Sequence, residues 1–452
     1  MITDMTLSQA TASNGTSLGA AFEKHLAAQG SAPEWWIEMK RKARAEYDRL
    51  PMPTRKNEQW RFSSLRGLAL DGYDLSTTAE APDAAAILEK PVLVDKRAGR
   101  VVFADDSLLA HEPVSQELGQ RGVIWEPLAD ALVRHRELLQ EYFMAQDPHL
   151  GSEKFASLHS AFVSNGSLLY VPAGVEVKLP FVANHWAATA GNAVFPHTLV
   201  IVGENAKVTL LDVFGSTTGS QKNFACGFIY LFAGNGAHIN YYALQNWSRE
   251  TLGFQINSLV AGRDAVINSL AVNVGCSHYR SESQSLLKGS GSSVEMLSLS
   301  VTDTDQEVDQ RTLQLHLAPN ARSNLLFKNA LMDDSRTIFS GMIRVAEDAQ
   351  KTDAYQANRN LFLSDSAEAN SLPGLEIEAN DVRCTHGATS SQIDEDDLFY
   401  LLTRGINKKT ARELLVFGFF EEIIGHIEND EMAEGVRNLI QSKFLEGSAR
   451  LG

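Results

Sequence analysis

Cysteine is scarce in this sequence: the 452 residues hold three, Cys226, Cys276 and Cys384. An odd count cannot close fully into disulfides, and one bridge in so long a chain is no framework. A disulfide scaffold is thereby excluded and a reducing compartment expected. Positive charge is also short, with 40 Lys and Arg against 56 Asp and Glu, a net charge of −16. That sign opposes a phosphate backbone and an anionic lipid surface, so neither nucleic acid nor membrane is expected as a partner. No run approaches the roughly eighteen apolar residues of a membrane span. The opening MITDMTLSQATASNGTSLGAAF lacks a basic leader and a continuous apolar core, so it does not read as a secretory signal. The cytoplasm is the expected location.

Several catalytic signatures are missing too. The sequence has no GxxxxGK[ST] phosphate loop, no GxGxxG after a strand, no HExxH and no GxSxG. A nucleotide consumed alongside this chain is therefore expected on another protein. A polysaccharide-cleaving enzyme is the catalytic alternative, disfavoured because such enzymes are usually exported.

What is present is an ordinary globular composition, 44% hydrophobic and 21% charged. A short pattern recurs through the middle of the chain, starting at Pro172, Gly203, Gly234, Gly262, Gly289, Ala318 and Ala346. The steps are 31, 31, 28, 27, 29 and 28 residues, each a turn followed by strand-type residues. Near-constant spacing of that kind predicts stacked β coils, a solenoid, whose ends must be covered. Residues 151–386 are assigned to this core. Residues 1–150 are read as a mostly helical N-terminal domain with some strand and a loose tail over 1–16, and 387–452 as a C-terminal helical domain. Both are expected to cap the solenoid. In the N-terminal part a helix is predicted between Pro33 and Pro51. In the C-terminal part Asp394 and Asn407 are read as N-caps and Gly405 as a left-handed stop.

For chemistry, the segment RCTHGATSSQIDEDDL, beginning at Arg383, holds Cys384 and His386 one residue apart. On a strand they share a face with backbones about 6–7 Å apart, within reach of one metal or sulfide. Thiolate with imidazole suits iron or zinc. Cys276 and His278 repeat the spacing. A buried cysteine beside a hydrogen-bonded histidine is the plainer reading of either pair. Asp303, Asp305, Glu307 and Asp309 alternate along one predicted strand and read as a solvated edge or, less readily, a calcium site. The apolar stretch LLVFGFFEEII reads equally as packing against the solenoid or as a docking surface.

Beyond these patterns, KNEQWRFSSL at Lys56–Leu65, FASLHSAF at Phe155–Phe162 and above all the run Ser335–Ile406 resemble the SufB/SufD family of iron-sulfur cluster assembly. Within the family, Trp60-Arg61 and Gly387, where SufB proteins tend to carry Glu, resemble the SufD branch. The resemblance implies a right-handed parallel β-helix flanked by an α/β and a helical domain. It implies a scaffold subunit without turnover of its own, pairing through the β-helix with SufB and binding the SufC ATPase through its C-terminal helices. Pairing with a second copy is implied when the chain is alone. His386, with Cys384 beside it, matches the family's interface ligand. Leu414, Leu415, Phe419, Phe420 and Ile423 become the expected SufC contact. No tightly bound cofactor is expected on the isolated chain, only a transient iron-sulfur cluster at the interface with SufB.

Overall fold

A computed structural model describes residues 18–30, 32–65, 68–75, 84–90 and 93–448, so the tail expected over 1–16 lies outside the described residues. In chain order, the N-terminal region holds α1 (Leu18–Ala28), α2 (Glu34–Arg49), a 3-10 turn (Glu58–Trp60) and α3 (Ala84–Leu88). Then come β1 (Gly99–Ala104), β2 (Ser107–Glu112), α4 (Gln116–Gln120), β3 (Ile124–Pro127), α5 (Leu128–Arg134), α6 (Arg136–Tyr142) and α7 (Glu153–Phe162). The strands that follow are β4 (Ser167–Val171), β5 (Phe181–Ala187), β6 (Ala193–Val194), β7 (His197–Val202), β8 (Lys207–Ser216), β9 (Phe224–Ala233), β10 (His238–Asn246) and β11 (Leu252–Ala261). They continue as β12 (Val266–Asn273), β13 (His278–Leu287), β14 (Ser293–Thr302), β15 (Glu307–His316), β16 (Arg322–Leu331), β17 (Arg336–Val345), β18 (Asp353–Phe362), β19 (Glu368–Ile377) and β20 (Arg383–Gln392). Helices α8 (Glu395–Thr403), α9 (Lys408–Ile424) and α10 (Asp430–Ser448) close the chain.

The repeat becomes a two-sheet solenoid of about eight turns, as expected. Even-numbered strands from β8 to β20 form one parallel sheet and odd-numbered strands from β7 to β19 the other. The turn chemistry explains the period. In the first six repeats the residue two places after the start is left-handed: Gly174, Asn205, Gly236, Asp264, Gly291 and Asn320 all have φ between 55° and 73°. Glycine, Asn and Asp tolerate that conformation best. A Cβ on Gly236 would also lie 2.2 Å from Asn205 Oδ1 in the preceding coil, so a larger residue there would have to displace that side chain.

Alternate residues of each strand line the lumen. In the earlier coils these are apolar, with Val208, Leu210, Ile239, Ile267 and Val294 in one buried cluster. Later coils carry an amide and hydroxyl column along one side. Asn329 Nδ2 donates to Asn360 Oδ1 at 2.9 Å, and Ser371 Oγ to Asn358 Oδ1 at 2.7 Å. Buried amides are tolerable because these neighbours pair them.

The N-terminal helices lie on the outer face of the odd-numbered sheet, where Phe155 stacks on Phe254 at 4.0 Å between ring centroids. β1 and β3 extend the two sheets at that end. The sequence-read caps hold locally: Asp394 accepts from Asp397 N, Asn407 from Thr410 N at 3.0 Å, and Gly405 has φ 85°. The expectation that the C-terminal helices cap the solenoid is corrected. α9 and α10 fold back along the flank, burying Val416, Phe420, Ile424 and Ile440 against Leu297, Leu299 and Leu326 on the outer face of the even-numbered sheet. The flank supplies a long apolar stripe, Leu211, Leu270, Leu297 and Leu326, that these helices cover. Among the described residues no helix is long and apolar enough to cross a membrane.

Candidate functional site

Because α9 and α10 take the flank, no strand among the described residues is stacked on the last coil: there β19 pairs only with β17 and β20 only with β18. Leu375 and Ile377 continue an inward column in register with Ile343 and Val345. Those two residues are fully buried, whereas Leu375 and Ile377 are 36% and 40% exposed. Apolar residues of lumen type, left uncovered together with two free strand edges, form a surface built for another layer.

Cys384 and His386 occupy this mouth on β20, in register with the buried Ala354 and Gln356. The shared parity therefore turns both toward the lumen axis. His386 is exposed and Cys384 half-buried. Burial pushes the Cys384 thiol above its ordinary range, against a smaller opposing hydrogen bond from the Ala354 backbone. It is a thiol at rest, and a metal would displace its proton. Among the described residues no three His, Cys, Asp or Glu side chains are grouped to hold a metal ion. Cys384 and His386 by themselves are therefore too few to hold a metal ion.

The second Cys-x-His pair does not converge. Cys276 is buried in the lumen core with φ 72°, and the left-handed turn breaks the parity with His278, which lines a small crevice on the outer face beside Trp60. Burial raises the Cys276 thiol far above its usual range, and Cys226 is likewise buried and raised. Neither is a nucleophile as folded.

The expected solvated acidic edge is also corrected at three of its four acids, Asp305 alone of them being exposed. Asp303 pairs with Arg249 and Lys443, Glu307 with Arg336, and Asp309 with Arg280 and Arg311. The last two acids anchor the KNEQWRFSSL segment. Ser63 Oγ donates to Asp309, Ser64 N donates to Glu307 at 2.7 Å, and Arg280 lies 3.9 Å from the Trp60 ring. Trp60 Nε1 donates to Gly151 O at 2.7 Å. Sequence reasoning missed this role. Its signal was the run of charged residues at one parity, Arg280 and Glu282 on β13 with Glu307, Asp309 and Arg311 on β15.

The apolar C-terminal face divides. Phe420 and Ile423 are fully buried against the solenoid, which removes them from any surface in this conformation. Phe419 is half-buried, its carbonyl accepting from Lys328 Nζ at 2.6 Å. Leu414 is exposed and Leu415 half-buried, and the neighbouring α8 adds Phe399 and Tyr400, 65% and 56% exposed. That outer patch is what remains for a partner.

The family model described as the SUF system FeS cluster assembly, SufBD core domain, matches residues 185–419, and the SufBD protein N-terminal region matches 21–181. The chain belongs to the SufBD family. SufBD proteins are components of iron-sulfur cluster assembly scaffolds. The chain is 26% identical to the iron-sulfur cluster assembly protein SufD of Bacillus subtilis over 95% of its own length and 99% of the relative's. It is 24% identical to SufB of the same organism, over 92% and 90%. A SufBD family protein of Synechocystis sp. is 26% identical over 88% of each chain.

Proposed function

We propose that this chain is the SufD-type, non-catalytic subunit of a SUF scaffold and pairs end to end with a SufB-type solenoid. The observation that carries this reading is the uncovered last coil. Leu375, Ile377 and two free parallel edges need a partner of matching coil geometry. A second solenoid supplies it by continuing both sheets. Cys384 and His386 then face the partner's ligands, and a cluster is held there as cargo, ligated from both sides and released downstream. Neutral imidazole suits such a site because it binds iron without fixing the cluster's charge. The isolated chain keeps no chromophore. The SufC ATPase docks on the outer patch of α8 and α9 formed by Leu414, Leu415, Phe399 and Tyr400, so ATP hydrolysis resides in that partner. Trp60-Arg61 and Gly387 favour SufD over SufB within the family.

The test is anaerobic co-expression with the same organism's SufB and SufC, followed by mass determination. One SufB, one copy of this chain and two SufC in a single assembly is the expected result. A chain that elutes apart from both, with both partners folded, would overturn the reading.

A further inference from the structure

A polar stripe crosses the outer face of the even-numbered sheet, away from the open end. Thr209, Asn240, Asn268, Glu295 and Asn324, the third residues of β8, β10, β12, β14 and β16, stand side by side in register. The next outward row, with Leu211, Tyr242, Leu270, Leu297 and Leu326, is apolar and is covered by α9 and α10. The stripe runs along the border of that cover, beside the turn that joins the two helices. Two cavities of about 180 and 190 Å³ open there, and both are lined by Asn240, Tyr242 and Glu428.

The floor of this groove is held in place. Asn240 is 2% exposed, and its Oδ1 lies 3.1 Å from His238 Nε2 and accepts from Asn268 Nδ2 at 3.0 Å. With that oxygen engaged, the Asn240 amide hydrogens remain as donors. Glu295 accepts from Asn324 Nδ2 at 2.8 Å and from His426 Nδ1 at 3.0 Å. Glu428 lines both cavities, and Lys178 lines the second together with Thr209.

Charge and donor count narrow the ligand. An anion would meet Glu295 and Glu428, with Lys178 the one lysine or arginine among the residues that line the two cavities. A cation would find Glu295 already engaged and Lys178 opposing it. What remains is a mixture of neutral donors and acceptors, Asn240, Asn268, Thr209 and Tyr242, beside one open carboxylate and an apolar wall of Leu270 and Met432. A carboxylate accepts from two adjacent hydroxyls, an amide both donates and accepts, and an amphipathic tyrosine covers a C–H face. Each cavity is smaller than the roughly 300–1,000 Å³ of drug-sized pockets, so the match is to one ring. We propose that this groove binds a neutral polyhydroxylated ring, either a free sugar or the ribose of a nucleoside. This assignment is independent of the SUF reading.

The experiment is saturation-transfer NMR on the full chain with glucose, ribose and adenosine, repeated with Asn240→Leu and Glu428→Ala. The second variant sits on a surface turn and keeps the test sound if the first misfolds. Transfer to at least one ring, with affinity reduced roughly tenfold or more in Glu428→Ala, is expected. Response to ribose and adenosine without glucose points to a nucleoside, and response to glucose to a free sugar. No transfer from any of the three at millimolar concentration, or transfer undiminished in Glu428→Ala, overturns the proposal. Displacement of the rings by inorganic phosphate or spermidine overturns the neutral class.

Discussion

His386 stands in register one coil beyond Gln356, on the same inward row of the solenoid. Gln356 is fully buried and donates Nε2 to Gly341 O across the lumen at 3.2 Å. One strand spacing further, about 4.8 Å, the same row is open to solvent. A position that is structural everywhere else in the column is at the mouth a place where an imidazole can meet something outside the chain.

His386→Ala should therefore separate function from stability. The side chain is exposed, so thermal unfolding should shift by no more than about 0.5 kcal/mol. Maturation of iron-sulfur enzymes in cells that depend on this chain should fall sharply. Full enzyme activity in those cells would remove His386 from the site.

Pairing through the open end makes a different demand. A charge at Leu375 or Ile377 would be buried unpaired beneath the next coil, at a cost of several kcal/mol, while leaving the solvated mouth of the free chain nearly unaffected. Ile377→Lys should abolish co-elution with a SufB-type partner and leave the chain's own melting transition in place. Undiminished complex would place the interface elsewhere.

Much of this was legible in advance, for identifiable reasons. The period of the coils is written in turn residues, since the left-handed third residue of each of the first six repeats, from Gly174 to Asn320, is Gly, Asn or Asp. The helix caps at Asp394 and Asn407 are equally local. The Cys384 and His386 spacing survives because β20 is a regular strand, whereas Cys276 and His278 part company at a left-handed residue that no sequence rule assigns to cysteine. What could not be read was long-range. The acids at Glu307 and Asp309 find their partners in Arg336 and Arg280 and receive Ser64 and Ser63 from a segment some 240 residues away, as in the Ser63–Asp309 separation of 246. The lodging of Phe420 and Ile423 on the flank depends on a stripe formed only when the coils stack.

Trp60 gives that long-range anchor a measurable energy. It is 2% exposed, bonded to Gly151 O and stacked under Arg280. Trp60→Ala should cost about 3–5 kcal/mol through the cavity it leaves. Trp60→Phe, which keeps most of the ring and loses the N–H, should cost nearer 1 kcal/mol. Denaturant unfolding followed with an N-terminal probe checks both. Equal losses for the two variants would mean that ring packing contributes little.

Mild acid should destabilise the fold. Burial lowers His25, His159 and His185 to about 3 and His316 to about 4, and it holds His197 well below its ordinary value, so all five are neutral in the native state. Unfolded, they take protons below about 6.5. A depressed folded pKa gives stability that is complete above the unfolded value and is lost as pH falls, here between 6.5 and about 4. Asp106 and Asp212 act the other way, because burial raises both to about 7 and each favours the folded state as pH drops through that value. Five histidines outnumber two acids, so the unfolded state binds more protons through the window and stability declines. Each net proton contributes about 1.4 kcal/mol per pH unit. The urea midpoint should be clearly lower near pH 5 than near pH 7.5. His159→Gln keeps a donor for the Cys226 carbonyl, which His159 Nδ1 reaches at 2.8 Å, and should flatten the profile by one proton's worth. A midpoint that holds or rises on acidification would show that these imidazoles are solvated or charged in the native protein, and that the N-terminal layer packs less tightly on the solenoid than its contacts imply.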